Sequence, residues 1–321
     1  MNDIRAAIEG DAVFDLEHLA LIAVDGNDAQ DFLQGQLTND LCAVTVSRAQ
    51  QSAWCSPKGR VLTCLLVFRH GERLMLQLPR SLADQTVKRL RMFVLRARVT
   101  LEDVSDQWAR IGIVGSRAES CLRDLVGELP GQVDEVRAAK DVTIVRLRGR
   151  RPRYEVIGAP SAIASLMNTC RDVAAVADSD AWEYLDIEAG IANVFPDTSD
   201  SFLPQMINLD RVDGVSFTKG CYVGQEIVAR TQHLGRIKRR MYRAHWDGGA
   251  DLGPGDTLEG AGEPAPMKAQ VVDAKAAPDG GCELLAVIPI EAVDAADPSG
   301  IPLRDGSRLT LTALPYPLQD E

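Results

Sequence analysis

The order of apolar and polar positions predicts short strands that alternate with amphipathic helices. Loose alternation over residues 11–24 indicates strands, and the Asp25-Gly26 turn leads into a helix over residues 29–37, capped by Asn27 or Asp28. A Pro-Lys-Gly turn inside residues 54–68 predicts a β-hairpin. A strand over 74–78 follows, and then a helix over 82–95 that is capped by Ser81 and has one apolar side.

The same alternation continues through the middle of the chain. It predicts strands over 99–101, 109–114, 142–147 and 153–156, and helices over 116–125, 161–170 and 180–188, with an acidic loop before residue 142. Gly190 ends the last of these helices. The Arg-rich turn at 148–153 is interpreted as a hairpin tip, with an anion-binding patch as the alternative. Antiparallel strands interspersed with helices indicate an α+β class.

After residue 243 the pattern changes to short strands separated by Gly, Pro and Asp turns. These strands are predicted over 244–246, 267–272, 283–289 and 308–312. Their spacing is typical of a small β-barrel or sandwich.

Composition and charge narrow the class of protein. The chain has 321 residues, 45% hydrophobic and 25% charged, which is ordinary for a soluble protein of two or three modules. The sequence has no apolar run of the ~20 residues that a membrane helix needs and no secretory signal pattern, so we expect a cytoplasmic protein without membrane contact. A net charge of −11 argues against broad coating of nucleic acid.

The seven cysteines lie at positions 42, 55, 64, 121, 170, 221 and 282. They are scattered, odd in number and without a Cys-x-x-Cys pair or paired histidines. This pattern indicates neither a disulfide framework nor a zinc site. It also lacks the spacing of a ferredoxin cluster, so no metal site is predicted.

Residues 219–243 form the most unusual stretch of the sequence. They hold seven basic residues and one acidic residue, so this stretch carries +6 whereas the rest of the chain carries −17. Cys221 follows Lys219 by two positions, and a nearby ammonium favours the thiolate. Glycines at 220 and 224 allow the backbone to approach a ligand closely. The residues alone leave two interpretations open: an anion site with a reactive thiol, or a buried cysteine beside a solvated strand face.

Three motifs, which occur along the chain in the same order as in a known family, resemble that family. Residues 32–40 read Phe-Leu-Gln-Gly-Gln-Leu-Thr-Asn-Asp, residues 186–191 read Asp-Ile-Glu-Ala-Gly-Ile, and residues 219–226 read Lys-Gly-Cys-Tyr-Val-Gly-Gln-Glu. The chain therefore resembles the YgfZ family of folate-binding proteins. That family is related to the aminomethyltransferase of the glycine cleavage system and to mitochondrial iron–sulfur maturation factors.

The resemblance implies a fold and a division into domains. We expect an aminomethyltransferase-like folate-binding body of antiparallel sheets with helices over residues 1–240. This body would consist of two subdomains with a break near 96–105. A C-terminal β-barrel-like domain would follow over 241–321.

The resemblance also implies a cofactor and the residues that serve it. Tetrahydrofolate would sit in a central channel with its pterin on Glu188, and its glutamate tail would run toward basic side chains. The expected cofactor-binding residues are Glu188, Asn39, Trp54, Gln225, Arg230 and Arg236. Cys221 is the expected functional thiol and Lys219 its activator, in support of iron–sulfur assembly or repair in client enzymes. Iron–sulfur assembly proteins or those clients are the expected partners, and tRNA thiolation by such enzymes would depend on the protein.

One departure from the pattern argues against aminomethyl transfer. Aminomethyltransferases carry an Asp pair on the strand that follows the first hairpin turn, where this chain has Thr63 and Cys64. Without a carboxylate there, the charge that stabilises an iminium-like centre is missing. Two rival hypotheses remain: a folate-dependent one-carbon transferase, and a module whose basic run binds tRNA directly with steep salt dependence.

Overall fold

The computed structural model describes residues 2–139, 141–249, 251–262 and 267–318. Its helices are α1 (Asn2–Glu9), α2 (Ala29–Gln34), α3 (Arg80–Arg91), α4 (Ser116–Val126), α5 (Pro160–Cys170), α6 (Ser179–Ala189), α7 (Gln225–His233) and α8 (Ile290–Asp294). Its strands are β1 (Ala12–Asp15), β2 (Leu19–Asp25), β3 (Gln50–Cys55), β4 (Val61–His70), β5 (Arg73–Pro79), β6 (Thr100–Asp103), β7 (Ala109–Val114), β8 (Val136–Ala139), β9 (Val142–Leu147), β10 (Arg153–Gly158), β11 (Ala175–Ala177), β12 (Arg239–Trp246), β13 (Thr257–Glu259), β14 (Lys268–Ala276), β15 (Cys282–Pro289), β16 (Ile301–Pro302) and β17 (Arg308–Thr312). Within these ranges no helix is long and apolar enough to cross a membrane.

The strands form three sheets. The first sheet has the order β11-β1-β7-β10-β9-β8, the second β3-β4-β5-β2-β6 and the third β13-β14-β15-β12-β17-β16. Pairing is antiparallel in all three sheets except between β1 and β11. The third sheet takes up the C-terminal part of the chain and forms a half-barrel, which confirms the predicted α+β class with a C-terminal β module.

The first and second sheets pack face to face. Leu21, Phe68 and Met75 of the second sheet share one buried cluster with Val145 and Ile157 of the first. Strand β2 reads Leu-Ala-Leu-Ile-Ala-Val because both of its faces are buried, so alternation with polar residues is absent there. Another core cluster joins the second sheet to the third sheet.

Helix α6 is positioned by its caps and by one close contact. Asp178 accepts a hydrogen bond from the Ala181 amide at its start, and Gly190 takes a left-handed conformation (φ 67°) at its end. Trp182 packs on β7 where Gly112 leaves room, since a Cβ at Gly112 would lie 2.4 Å from a ring carbon. This contact fixes the angular position of Asp186 and Glu188 on the helix.

Most of the predicted helices and strands are present, and the differences occur where contacts with distant residues set the secondary structure. The hairpin, the strands around 74–78, 109–114 and 142–156, and the end of α6 at Gly190 are confirmed. The prediction that Ser81 caps a helix over 82–95 is wrong, since α3 runs from Arg80 to Arg91 and its cap residue is Pro79. The segment before residue 142, which was predicted to be a loop, contains strand β8. The basic stretch after Cys221, for which a strand was one interpretation, first forms helix α7 and then strand β12. The domain boundaries near 96–105 and at 240 stay predictions.

Candidate functional site

The loop that carries Cys221 is fastened to the end of α2 by one buried ammonium. Lys219 is 9% exposed, and its Nζ donates to the backbone carbonyls of Gln34 at 2.7 Å, Leu37 at 2.7 Å and Asn39 at 2.9 Å. These carbonyls follow the short helix α2, where backbone acceptors have no helical partner. A charged donor satisfies three of them at once and ties residues 34–39 to residue 219 across the chain.

The buried position of Lys219 means that its ammonium binds backbone carbonyls of the protein itself. Burial lowers the pKa of its ammonium from 10.5 to about 8, an effect that Asp40 opposes. All three N–H donors are engaged by carbonyls, so Lys219 has none left for a hydrogen bond to the Cys221 thiolate. Activation of Cys221 by Lys219 therefore stays a prediction that depends on the field of the ammonium.

The two glycines around Cys221 have different surroundings. A Cβ at Gly220 would meet nothing within 4 Å, so this side of the loop is open. Gly224 has φ +82°, and a Cβ there would lie 2.4 Å from the Ser56 carbonyl oxygen and 2.9 Å from the Gly59 Cα. Gly224 thus allows the loop to contact the hairpin turn between β3 and β4, rather than a ligand.

Cys221 is one of two exposed thiols. Cys42 and Cys221 are exposed, Cys121 is partly exposed, and Cys55, Cys64, Cys170 and Cys282 are buried; all seven are free. The Cys42 thiol is hydrogen-bonded to Asp40, which raises its pKa and keeps it protonated. The hypothesis that Cys221 is merely buried packing is therefore wrong, because its side chain reaches solvent.

Several residues of the basic stretch are paired within the fold. Arg240 is buried and forms a bidentate pair with Asp210 at 2.8 and 2.7 Å. Arg243 is buried between Glu283 at 2.9 Å and Glu188 at 3.4 Å. These charges are neutralised locally and do not attract a solvent anion. Among the predicted tail-binding residues, Arg230 and Arg236 are exposed.

Asn39 is the last residue of the anchored segment, and Trp54 lies on β3, bridged to Leu37 of that segment. The Asn39 side-chain amide donates to the carbonyls of Gln51 at 2.9 Å and Asp213 at 2.6 Å, so it joins β3 to the loop before Cys221. Trp54 is 2% exposed and lies under the Arg89 guanidinium (5.2 Å). Its indole Nε1 has no hydrogen-bond partner within the described residues.

Gln225 stands at the first position of α7 and is partly buried. It follows Gly224 directly, so the side chain starts from the point where the loop meets the hairpin turn. The structure brings Lys219, Cys221 and Gln225 into one loop-to-helix junction. Whether these positions bind a cofactor stays a prediction.

Glu188 lines a separate cavity at the end of α6. Its side chain is 8% exposed, and Oε1 lies 3.4 Å from both Arg150 Nη1 and Arg243 Nη2. The cavity has a volume of about 220 Å³ and is also lined by Arg151, Arg153, Leu185 and residues of α1. A carboxylate with two long ion pairs and an adjoining cavity can accept hydrogen bonds from a ligand.

The Arg-rich turn contributes to this cavity, which the interpretation as a plain hairpin tip missed. Arg151 donates to the carbonyls of Ile8 at 2.9 Å and Gly10 at 2.7 Å, and Arg153 donates to Asp186 at 2.5 Å. The turn does join β9 to β10, as predicted. The run of arginines was the sequence signal for this role, because several arginines at one hairpin tip require hydrogen-bond acceptors on a neighbouring element.

A second cavity, separate from the one beside Glu188, lies between the first and second sheets and is lined partly by polar side chains. Cys64 faces a small cavity of about 60 Å³ together with Gln77 and Glu155, and burial raises the pKa of the Cys64 thiol to about 12. Thr63 is also buried, with its hydroxyl bonded to the Cys64 carbonyl at 3.1 Å. The pair that replaces the two aspartates is therefore neutral.

Glu155 is the residue that sequence reasoning missed in this region. It is fully buried on β10; Oε2 accepts from Gln77 Nε2 at 2.8 Å, and Oε1 has no partner among the described residues. Burial raises the pKa of its carboxyl from 4.5 to about 7, although Gln77 and Arg110 act in the opposite direction. The only available signal was an acidic residue inside a predicted strand.

Comparisons with known proteins agree with this architecture. Residues 1–149 match the GCVT N-terminal domain family. The chain is 32% identical over 306 residues to the tRNA-modifying protein YgfZ of Sodalis glossinidius, covering 94% of this chain and 91% of the relative. It is 31% identical over 309 residues to the protein of the same name from Yersinia pestis, covering 95% and 92%.

A solved structure shows the same fold at low sequence identity. The glycine cleavage system aminomethyltransferase T of Bartonella henselae superposes with a TM-score of 0.77 and 16% identity, covering 98% of this chain and 88% of the other. The predicted aminomethyltransferase-like fold is confirmed.

We expect Lys219→Met to lower the free energy of unfolding by about 2–4 kcal/mol, because three backbone carbonyls lose a charged donor. Urea denaturation measures the change. Lys238→Met is the matched control, since it removes an exposed ammonium from the same stretch and should cost less than about 0.5 kcal/mol. Equal costs for the two variants would contradict the anchoring role.

We expect the stability contribution of Glu155 to fall as pH rises from 4.5 to about 7. The folded protein keeps a proton in this window that the unfolded chain has released, so deprotonation favours unfolding. Glu155→Gln removes this titration and should be more stable than wild type by about 3 kcal/mol above the window, with little difference below it. Urea unfolding across this pH range measures the effect, with exposed Glu102→Gln as control. Parallel pH profiles for wild type and Glu155→Gln would refute it.

Proposed function

The chain belongs to the YgfZ family, and from this we propose that it is a tetrahydrofolate-binding protein that supports iron–sulfur assembly or repair in client enzymes. Through those enzymes it would serve tRNA modification, most directly tRNA thiolation. Relatives named tRNA-modifying proteins match it over more than nine tenths of its length, which supports the same role here. We propose a cytoplasmic location for this work.

The observation that carries the proposal is an exposed thiol on an anchored loop. Cys221 reaches solvent, whereas Lys219 holds its loop to the end of α2 through three hydrogen bonds. A soft thiolate suits transient binding of sulfur or of iron during cluster transfer. Cys221 is therefore the proposed functional thiol. Lys219 positions it and is its proposed activator.

The proposed folate site uses the cavity beside Glu188. One carboxylate can accept two hydrogen bonds from the aminopyrimidine edge of a pterin, and the cavity of about 220 Å³ adjoins that carboxylate. Arg150 and Arg243 already contact Glu188, so they would hold its carboxyl group in position while it binds. Tetrahydrofolate, when bound, serves as a carrier of one-carbon units. Its glutamate tail would extend to exposed cations, with Arg230 and Arg236 as the candidates.

Three further residues are proposed to assist cofactor binding: Asn39, Trp54 and Gln225. Asn39 links β3 to the loop that leads to Cys221, and Gln225 begins the helix that follows it. Trp54 has a buried indole N–H that lacks a partner within the described chain. These positions would couple folate binding to the conformation of the Cys221 loop.

Aminomethyl transfer is the less favoured function. Thr63 and Cys64 are buried and neutral at the position of the aspartate pair. Direct binding of tRNA is a second candidate, favoured by the exposed cations Arg230, Arg236 and Lys238. Because Arg240 and Arg243 are paired internally, this exposed charge is smaller than the sequence alone indicates.

We expect purified protein to bind tetrahydrofolate saturably, and Glu188→Gln to weaken binding at least about tenfold because a charged acceptor of two hydrogen bonds is lost. Isothermal titration under reducing conditions measures the affinity. Cys221→Ser should bind as wild type does, and Glu128→Gln controls for loss of an exposed carboxylate. Absence of binding by wild type, or equal binding by Glu188→Gln, would overturn the folate assignment.

A further inference from the structure

Two cysteines far from Cys221 face each other between helices α4 and α5. The Sγ atoms of Cys121 and Cys170 are 3.2 Å apart, although the two residues lie 49 positions apart in the sequence. Both thiols are free in this structure. The helices pack side by side on the outer face of the first sheet, so the proximity is a property of the fold and does not depend on a loop.

The two sulfurs differ in access. Cys170 is completely buried in an apolar cluster with Ile163 and Leu166, and burial, followed by its contact with Cys121, raises the pKa of its thiol to about 12. Cys121 is partly exposed and lines an open groove of about 660 Å³. Arg117 is among the residues of the same groove. A small reagent in this groove therefore meets Cys121 first, with Cys170 directly behind it.

We propose that Cys121 and Cys170 form an oxidisable dithiol in which Cys121 reacts with a hydroperoxide and Cys170 closes a disulfide. The Cys121 thiolate attacks the terminal peroxide oxygen, so an S–O bond forms, the O–O bond breaks, and the leaving alkoxide takes up a proton. The Cys170 sulfur then attacks Cys121 Sγ, the S–O bond breaks, and hydroxide leaves with the Cys170 proton as water. Two thiols lose two electrons, and the hydroperoxide is reduced to an alcohol and water.

The geometry favours this sequence over attack in the opposite order. Only the Cys121 side of the pair borders the groove, and a buried apolar thiol such as Cys170 ionises poorly. A disulfide needs a sulfur separation of about 2.05 Å, so the sulfurs must approach by roughly 1 Å. A low thiolate fraction of Cys170 slows the formation of the disulfide, but the proximity of the two sulfurs in the fold speeds the same step.

The disulfide would tie α4 to α5 and restrain the outer layer of the first sheet. It closes a loop of 49 residues, which should raise the temperature of thermal unfolding because the unfolded chain loses conformational freedom. Cys221 belongs to a different part of the fold, on the loop held to α2 by Lys219. Oxidation of the dithiol and the chemistry of Cys221 should therefore be separable.

The test uses the full chain with Cys42→Ser and Cys221→Ser, which removes the exposed thiols. The reduced protein is treated with hydrogen peroxide, quenched under denaturing conditions and analysed by thiol counting, intact mass and peptide mapping. We expect the loss of two thiols, a mass lower by two hydrogens and a linked pair of peptides containing Cys121 and Cys170. Dithiothreitol should reverse the change.

Single substitutions test the order of events. Adding Cys170→Ser should leave a sulfenic acid on Cys121 that dimedone traps, whereas adding Cys121→Ser should leave Cys170 reduced. Peptide mapping of the unsubstituted pair keeps the test decisive even where a variant folds poorly. Retention of both thiols under conditions that oxidise Cys221 of wild type, or linkage of either cysteine to a different one, would overturn the proposal.

Discussion

The three hydrogen bonds from Lys219 to the carbonyls of Gln34, Leu37 and Asn39 are the interaction on which the geometry of the Cys221 loop depends. They satisfy backbone acceptors at and just after the end of α2, and they place a buried charge where backbone dipoles stabilise it. Asn39, which accepts one of them, links the same segment to β3 and to the Asp213 carbonyl. The loop before Cys221 is thus held from two sides, and the exposed thiol projects from a fixed base.

Two other basic residues of the stretch, Arg240 and Arg243, join the C-terminal sheet to the body of the protein. Arg240 pairs with Asp210, which precedes the Cys221 loop, and Arg243 pairs with Glu283 and contacts Glu188 at the end of α6. Buried ion pairs of this kind contribute little net stability but are costly to break, so they fix the relative position of the elements they join. The cavity beside Glu188 and the Cys221 loop are therefore linked through β12.

Much of the fold was predictable from local pattern. The hairpin at 54–68 followed from turn chemistry, and the end of α6 followed from Gly190, because both depend on neighbouring residues. The exposed state of Cys221 and the anchoring role of Lys219 were not predictable, since the acceptors of Lys219 lie some 180 residues away. The same holds for Glu155, whose partner Gln77 comes from a different sheet, and for Arg240 and Arg243, which the local charge pattern presented as an anion site. Pairing across the chain decides whether a charge is free, and a local pattern does not contain that information.

Rescue of tRNA modification in a bacterial strain that lacks its own YgfZ tests the central claim most directly. The chain is expressed as wild type, as Cys221→Ser and as Cys42→Ser, and thiolated tRNA nucleosides are quantified by mass spectrometry. Both substitutions remove an exposed thiol, but only Cys221 lies on the loop that Lys219 anchors. The account predicts that wild type and Cys42→Ser restore the nucleosides and Cys221→Ser does not. Restoration by Cys221→Ser at the level of wild type would contradict it.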